Sequence, residues 1–414
     1  MGGELACRQQ PAGELPDEPF DVLVVGAGPA GSTAAILLAS QGHRVLLLDR
    51  KRFPREKVCG DGLTHHAIAC LQRLGLGEAV RSAAHEIDIY SSFSPSQVEV
   101  ELPVRFSTLK RIRLDALMAE RAVAVGAAFC CGGVHGLTQE GDGTVTASLI
   151  GSEKRVRARV GVIATGAAVS VAKRLGMVAR VAPSDVAIRC YVRSSFRLDR
   201  MVSFQSASLI PGYLWVFPMG GNEYNVGCCA PRRTRQGARG NAKKALEQVV
   251  AELPLARELF RHAEAVTPAR GGMVRCGLKG MRRLVSGSIV AIGETIGSTL
   301  PSTGEGIAMA MRTGELAAAA IHEALASGSL EALRDYPAAV GKELRPRHMA
   351  YQFMQALTSV GWIHDGLARL SRKGGAVHNF AVSAITGATP SRGVAVFRGV
   401  FRTLAMLRRP WLHR

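Results

Sequence analysis

From Asp21 to Arg50 the chain reads D-V-L-V-V-G-A-G-P-A-G-S-T-A-A-I-L-L-A-S-Q-G-H-R-V-L-L-L-D-R. An apolar strand runs into a glycine turn, a helix and a second apolar strand that ends in an acid–base pair. Gly26 lets the strand turn tightly, Gly28 lets backbone approach a pyrophosphate, and Gly31 lets helix pack on sheet. The helix N-terminus then presents unpaired N–H groups to the phosphates. Asp49, eighteen residues after Gly31, is placed to bond a ribose hydroxyl, with Arg50 beside it. Strand, helix, strand and acid in this register predict a dinucleotide-binding βαβ unit.

The distant end of the chain selects the dinucleotide. Ser288–Thr295 reads S-I-V-A-I-G-E-T, a short strand ending in Gly293 and Glu294. P-S-T-G-E-G-I-A-M-A-M follows from Pro301, a helix start at Gly304, Gly306 and Ile307. A carboxylate on a strand end suits the hydroxyls of FAD. A helix N-terminus suits the flavin pyrimidine edge, where reduction adds negative charge. A dehydrogenase that binds only NAD needs no such second site.

Phe53–Leu63 reads F-P-R-E-K-V-C-G-D-G-L, and Gly212–Pro218 reads G-Y-L-W-V-F-P with N-V-G at Asn225–Gly227. With the two ends, these segments resemble the geranylgeranyl reductase family of FAD-dependent oxidoreductases, closest to its bacterial members acting on polyprenyl lipids such as menaquinone. The resemblance covers about residues 21 to 330. It implies cofactor contacts from Gly26, Gly28, Ala30, Gly31, Asp49, Arg50, Cys59, Gly60, Arg111, Val134, Gly166, Gly293, Glu294, Gly304, Gly306 and Ile307. Cys59 is expected beside the isoalloxazine, with Tyr213 and Trp215 lining the substrate pocket and the Tyr213 hydroxyl a candidate proton donor. The chain departs from the family pattern at Gly293–Glu294, where an aspartate is usual, and at Ala164–Thr165–Gly166, which lacks the usual acid. The loop I-G-S-T-L-P before Gly304 departs as well.

The order of motifs implies an α/β fold: a three-layer, Rossmann-like FAD-binding domain interrupted by an antiparallel β-sheet substrate domain. The cofactor domain is expected over 20–182 and 271–340, and the β-rich domain over 183–270, with about 83–105 joining it. A basic helical region follows over 341–414. Residues 1–19, which hold no apolar signal-peptide core, read as a disordered extension. Lys154–Arg159, K-R-V-R-A-R, alternates like a strand with one solvated face.

Nine cysteines without a C-x-x-C spacing form neither a zinc site nor a disulfide framework. They read as reduced residues of a cytoplasmic protein. No apolar run is long enough to span a bilayer. The formal charge is +19, and residues 345–414 hold eleven Lys or Arg against one Asp. Val396–Arg414 interleaves Phe, Leu, Met and Trp411 with arginines. That pattern suits a helix on the anionic inner membrane face or one packed on the protein's own core. No nucleic-acid-binding motif accompanies the charge.

The chemistry expected is reduction of an isoprenoid C=C by hydride from reduced flavin. With a single dinucleotide fingerprint, electrons come from a transient NAD(P)H or a ferredoxin-like donor. Two alternatives stand. One is a flavin-dependent monooxygenase or halogenase, although halogenases carry W-x-W-x-I-P where this chain has Tyr213-Leu-Trp215-Val-Phe217-Pro218. The other is a non-catalytic, basic FAD-binding protein at a membrane or nucleic acid.

Overall fold

The computed structural model describes residues 9–231 and 242–386. Five parallel strands form its floor, in the order Ile289–Ala291, Arg155–Ile163, Phe20–Val25, Val45–Asp49 and Ala128–Cys131. The inner ones are apolar on both faces because helices cover one side and an antiparallel meander flanks the other, so little alternation survives in their sequences. Val45–Asp49 is buried throughout. Arg155–Ile163 alternates exposed and buried residues over its first half, as K-R-V-R-A-R anticipated, and is buried throughout its second. Helices Pro29–Ser40, Arg111–Ala124 and Ile307–Ser327 pack together against this sheet.

Val25 pairs with both Leu48 and Ile163, so three neighbouring strands end at one level. The residues that follow, Gly26, Asp49 and Ala164–Gly166, therefore meet at the carboxyl edge of the sheet, where open α/β folds bind ligands. Gly26 has φ +111°, and a Cβ there would stand 2.3 Å from the Ala164 carbonyl oxygen. Only glycine allows that turn against the neighbouring strand.

A second, largely antiparallel sheet lies over this edge as a roof. Its order is Ala263–Val266, Asp185–Ser194, Glu223–Pro231, Tyr213–Pro218, Met201–Phe204, Tyr90–Phe93 and Glu99–Leu102. Strand Arg270–Val274 also belongs to it, pairing with Asp185–Ser194 from Arg189↔Arg270 to Asp185↔Val274. Residues 271–274 thus lie in the roof and not, as expected, in the cofactor domain. Backbone pairing, which composition does not reveal, places them there. Helices Ala242–Glu252 and Pro254–Arg261 cover the roof's outer face, burying Leu246, Val249 and Leu259 against Leu214 and Val216. Strand alternation turns Tyr213, Trp215 and Phe217 the other way, toward the floor.

Helices Tyr336–Thr358, Gly361–Arg372 and Gly375–Thr386 close one side. Asp365 ties the middle one to the Tyr90–Leu102 hairpin through the Ser94 and Ser96 hydroxyls at 2.6 and 2.7 Å. His348 Nε2 joins the first helix to the Ser298 carbonyl at 2.9 Å. Residues 9–19 correct the expectation of disorder where they are described. Gln10 bridges to Cys130, the Gln9 side chain accepts from the Phe53 amide, and Leu15 is 2% exposed. The bridge, the side-chain bond and the buried leucine together tie the segment to the floor. The proposed interfacial helix at 396–414 lies outside the described residues.

Candidate active site

A cavity of about 1060 Å³ separates floor from roof, at the upper end of the range for small-molecule sites. Of the expected cofactor residues, Gly26, Gly28, Ala30, Asp49, Arg50, Cys59, Gly60, Arg111, Val134, Gly166, Glu294, Gly304, Gly306 and Ile307 line it, as do Tyr213 and Trp215. Gly31 and Gly293 are not among its lining residues. A Cβ on Gly31 would overlap the Gly26 carbonyl at 1.8 Å, and one on Gly293 would meet the Ala30 methyl at 2.7 Å. These two glycines allow close packing behind the wall.

At one end the cavity meets the N-terminus of Pro29–Ser40, whose N-cap is Gly28. The guanidinium groups of Arg55 and Arg111 converge there, 3.8 and 4.0 Å from where a Gly28 Cβ would stand. Asp115 orients both. It receives two bonds from Arg111 at 2.8 and 2.9 Å, and Arg55 approaches to 2.9 Å. A helix N-terminus under two arginines, with open space where a Gly28 side chain would stand, fits the pyrophosphate of FAD. Asp49 is more engaged than its motif suggested. It accepts from the Ala27 amide at 3.1 Å, the Lys51 amide at 3.0 Å and Arg55 Nε at 3.2 Å. Glu294 accepts from the Arg275 amide at 3.2 Å and faces Gly166, where a Cβ would stand 3.4 Å from its Oε2.

The Cys59–Gly62 loop presses against the roof through one buried polar network. Asn225 donates to the Cys59 carbonyl at 2.9 Å and to Asp61 Oδ2 at 2.8 Å, while accepting from Trp215 Nε1 at 2.9 Å. The indole can only donate, so it fixes which way the Asn225 amide points. Asp61, fully buried, also receives the Tyr191 hydroxyl at 2.6 Å and the Arg111 amide at 3.2 Å. Burial pushes its pKa up to about 6, against the three donors that favour the ionised form. The cations of Lys110 and Arg189 stand over the Tyr191 ring, 4.6 and 4.1 Å from its centroid.

Cys59 is half-buried and faces Arg111 and the Asp61 amide; burial pushes its thiol above the ordinary value, with Arg111 opposing. Trp215 is packed between Gly60 and its cross-strand partner Gly227, where a Cβ would come within 2.3 Å of the indole. That contact explains the glycine of N-V-G. The Tyr213 hydroxyl donates to the Thr303 carbonyl at 2.6 Å, and burial holds its pKa well above the usual tyrosine value. Its proton is therefore committed to the 301–306 loop, which corrects the expectation of a donor facing substrate. Glu305 in that loop accepts from Thr64 at 2.5 Å, and burial raises its pKa.

Sequence reasoning missed Arg55, Asp61, Tyr191, Asn225 and Glu305 as site residues. Four of them stand inside motifs already quoted, but nothing in one dimension shows what each touches. Beyond Trp215 the cavity continues into an apolar arm bounded by Val100, Leu102, Phe106 and Met201, and by Met354, Leu357, Leu367, Phe380 and Ile385 of the three closing helices. Its lining between residues 354 and 385 includes no lysine, arginine or carboxylate.

Residues 19–340 match the model of the FAD binding domain family. The chain is 32% identical over 321 residues to the menaquinone reductase of Mycolicibacterium smegmatis, covering 72% of this chain and 75% of that one. It is 32% identical to digeranylgeranylglycerophospholipid reductase 1 of Methanopyrus kandleri, covering 74% and 81%. Among solved structures, a geranylgeranyl bacteriochlorophyll reductase-like protein from Thermoplasma acidophilum superposes with TM-score 0.73 at 22% identity, over 85% of this chain and 91% of that one. A flavin-dependent brominase superposes with TM-score 0.75 at 19% identity, over 94% and 100%. These two likenesses establish the fold. Together with the cradle under Arg55 and Arg111, the sequence relatives make the chain a member of the geranylgeranyl reductase family of FAD-dependent oxidoreductases.

Proposed function

We propose that the protein saturates isolated C=C bonds in the isoprenoid chain of a prenylated lipid, with a prenyl quinone the first substrate to test. The observation that carries this reading is the apolar arm, continuous with the cofactor cradle and free of charge along the closing helices. An isoprenoid chain offers only apolar surface, so a site for it gains by burial and shape. The names of the relatives, menaquinone reductase and digeranylgeranylglycerophospholipid reductase, point to substrates of that kind.

FAD, when bound, supplies the hydride. Gly28, Arg55 and Arg111 would hold its pyrophosphate, Glu294 and Asp49 its hydroxyls, and the Gly304–Ile307 helix start its pyrimidine edge. Saturation also needs a proton at the neighbouring carbon. Cys59 carries one in the cavity wall, and its thiol is protonated at neutral pH because burial opposes the thiolate. Arg111 and the Asp61 amide are aimed at the sulfur and would hold its charge after the proton leaves. Trp215 supplies flat apolar surface for the chain. Tyr213 positions the 301–306 loop. Electrons arrive from a transient NAD(P)H or a ferredoxin-like donor.

The test is anaerobic. Pre-reduced wild type mixed with a prenyl quinone should reoxidise as the product gains two hydrogens per bond. Cys59→Ser should keep the flavin spectrum and lose roughly 10²-fold or more in turnover, the range for a missing general acid. Reoxidation seen only when oxygen is admitted, with an oxygenated or halogenated product, would overturn the reading in favour of an oxygenase.

A further inference from the structure

The Gly361–Arg372 helix has two dissimilar faces. Its inner face, His364, Leu367, Ala368 and Ser371, lines the apolar arm. Trp362, Gly366, Arg369, Leu370 and Lys373 follow the i, i+4, i+7, i+8, i+11 spacing of the opposite face. Trp362 is 62% and Leu370 52% exposed, and Arg369, Arg372 and Lys373 are exposed with them. The helix's one acid, Asp365, is buried against Ser94 and Ser96. The outward face thus combines two large apolar side chains with two cations, Arg369 and Lys373, has the exposed Arg372 at its flank, and carries no carboxylate of its own.

Water is a poor environment for that combination, and an anionic lipid surface is a good one. Tryptophan lies at the headgroup level, leucine reaches the acyl boundary, and arginine and lysine meet the phosphates. The helix's other face lines the arm to which an isoprenoid chain is assigned, so one helix separates the arm from the surface. We infer that the outer face of Gly361–Arg372 is the docking surface for an anionic lipid bilayer. Docking there holds the apolar arm about one helix diameter, roughly 10 Å, from the leaflet. The link to the arm rests on the isoprenoid-reductase reading, whereas the contact itself rests on the exposed face.

The experiment uses full-length, flavin-loaded protein and vesicles of phosphatidylcholine with and without phosphatidylglycerol. Neutralising Arg369, Arg372 and Lys373 together to Gln should weaken binding to the anionic vesicles on the order of 100-fold at low salt, about fivefold per cation. A second readout needs only one conservative change. In a Trp411→Phe background, brominated phosphatidylglycerol should quench tryptophan emission, and adding Trp362→Phe should abolish the quenching, because Trp215 is buried. Unchanged vesicle binding in the triple variant, or no quenching with Trp362 present, overturns the inference. Binding that falls only when Arg398 and Arg402 are neutralised assigns docking to the tail and overturns it too. So does a triple variant that loses heparin retention but keeps its vesicle affinity. None of these readouts requires turnover, so docking and reductase activity stand or fall separately.

Discussion

At Asp61 burial and hydrogen bonding pull in opposite directions, and the balance sets a measurable pH dependence. Its pKa rises from an ordinary 3.8 to about 6. A carboxyl raised in the folded state contributes most stability below its unfolded pKa and loses it as pH rises through the folded one. Between about pH 4 and 6 the fold should therefore lose roughly 3 kcal/mol from this group, and nothing further above that range. Urea unfolding followed across pH should show this segment in wild type and a flat one in Asp61→Asn. Tyr191→Phe removes a donor that favours the ionised form, so the segment should extend to higher pH. Gly28 supports a second prediction. A Cβ there meets no protein atom nearer than 3.8 Å, so Gly28→Val should fold while its side chain fills the phosphate cradle. Purified variant with wild-type thermal stability in the flavin-free state, and no flavin absorption, is the expected result. A variant that retains stoichiometric FAD would remove Gly28 from the cofactor site.

Between elements, the decisive contact is the one that fastens the Cys59–Gly62 loop to the roof. Asn225 of strand Glu223–Pro231 satisfies the Trp215 indole, the Cys59 carbonyl and Asp61 at once. Asn225→Leu leaves the Trp215 indole and the Cys59 carbonyl unpaired in a buried place, at about 1–3 kcal/mol for each group. It also removes one of the three donors to Asp61, which keeps Tyr191 and the Arg111 amide. The expected outcome is a loss of about 2 kcal/mol or more in unfolding free energy, with slower turnover because Cys59 is no longer held. Full activity and stability in this variant would show that the loop is fixed by its glycines alone. The same strand pair explains why the two short motifs Y-L-W-V-F-P and N-V-G occur together. Trp215 faces Gly227 across the ladder, and Phe217 faces Asn225. Neither motif is complete without the other.

Across the whole molecule, the cavity exists because three separately encoded parts meet: the floor's carboxyl edge, the roof's aromatic face and the three closing helices. Filling only the third part should separate substrate binding from cofactor binding. Ala381 lines the arm on the Gly375–Thr386 helix, so Ala381→Trp should lower kcat/KM for long isoprenoid chains more than for short ones. Chemical reduction of its flavin should proceed as in wild type. Equal losses for long and short chains would place the lipid elsewhere.

Local pattern carried the cofactor half of this protein. G-A-G-P-A-G between two apolar strands, the I-V-A-I-G-E strand end and the glycine-led helix start are short-range signals, because each concerns what neighbouring backbone can do at a turn. Alternation along Y-L-W-V-F-P likewise foretold a strand with aromatics on one face. Only the tertiary structure decided that Arg55 joins Arg111 over Gly28, that Tyr213 spends its proton on Thr303, and that Asn225 reads two motifs together. It also decided that residues 270–274 belong to the roof and that the Gly361–Arg372 helix lines a cavity on one face while leaving Trp362 exposed on the other. Those outcomes depend on hydrogen bonds and packing between residues up to 271 positions apart, as in the bond from Ser94 to Asp365. A single sequence records such residues without recording their partners.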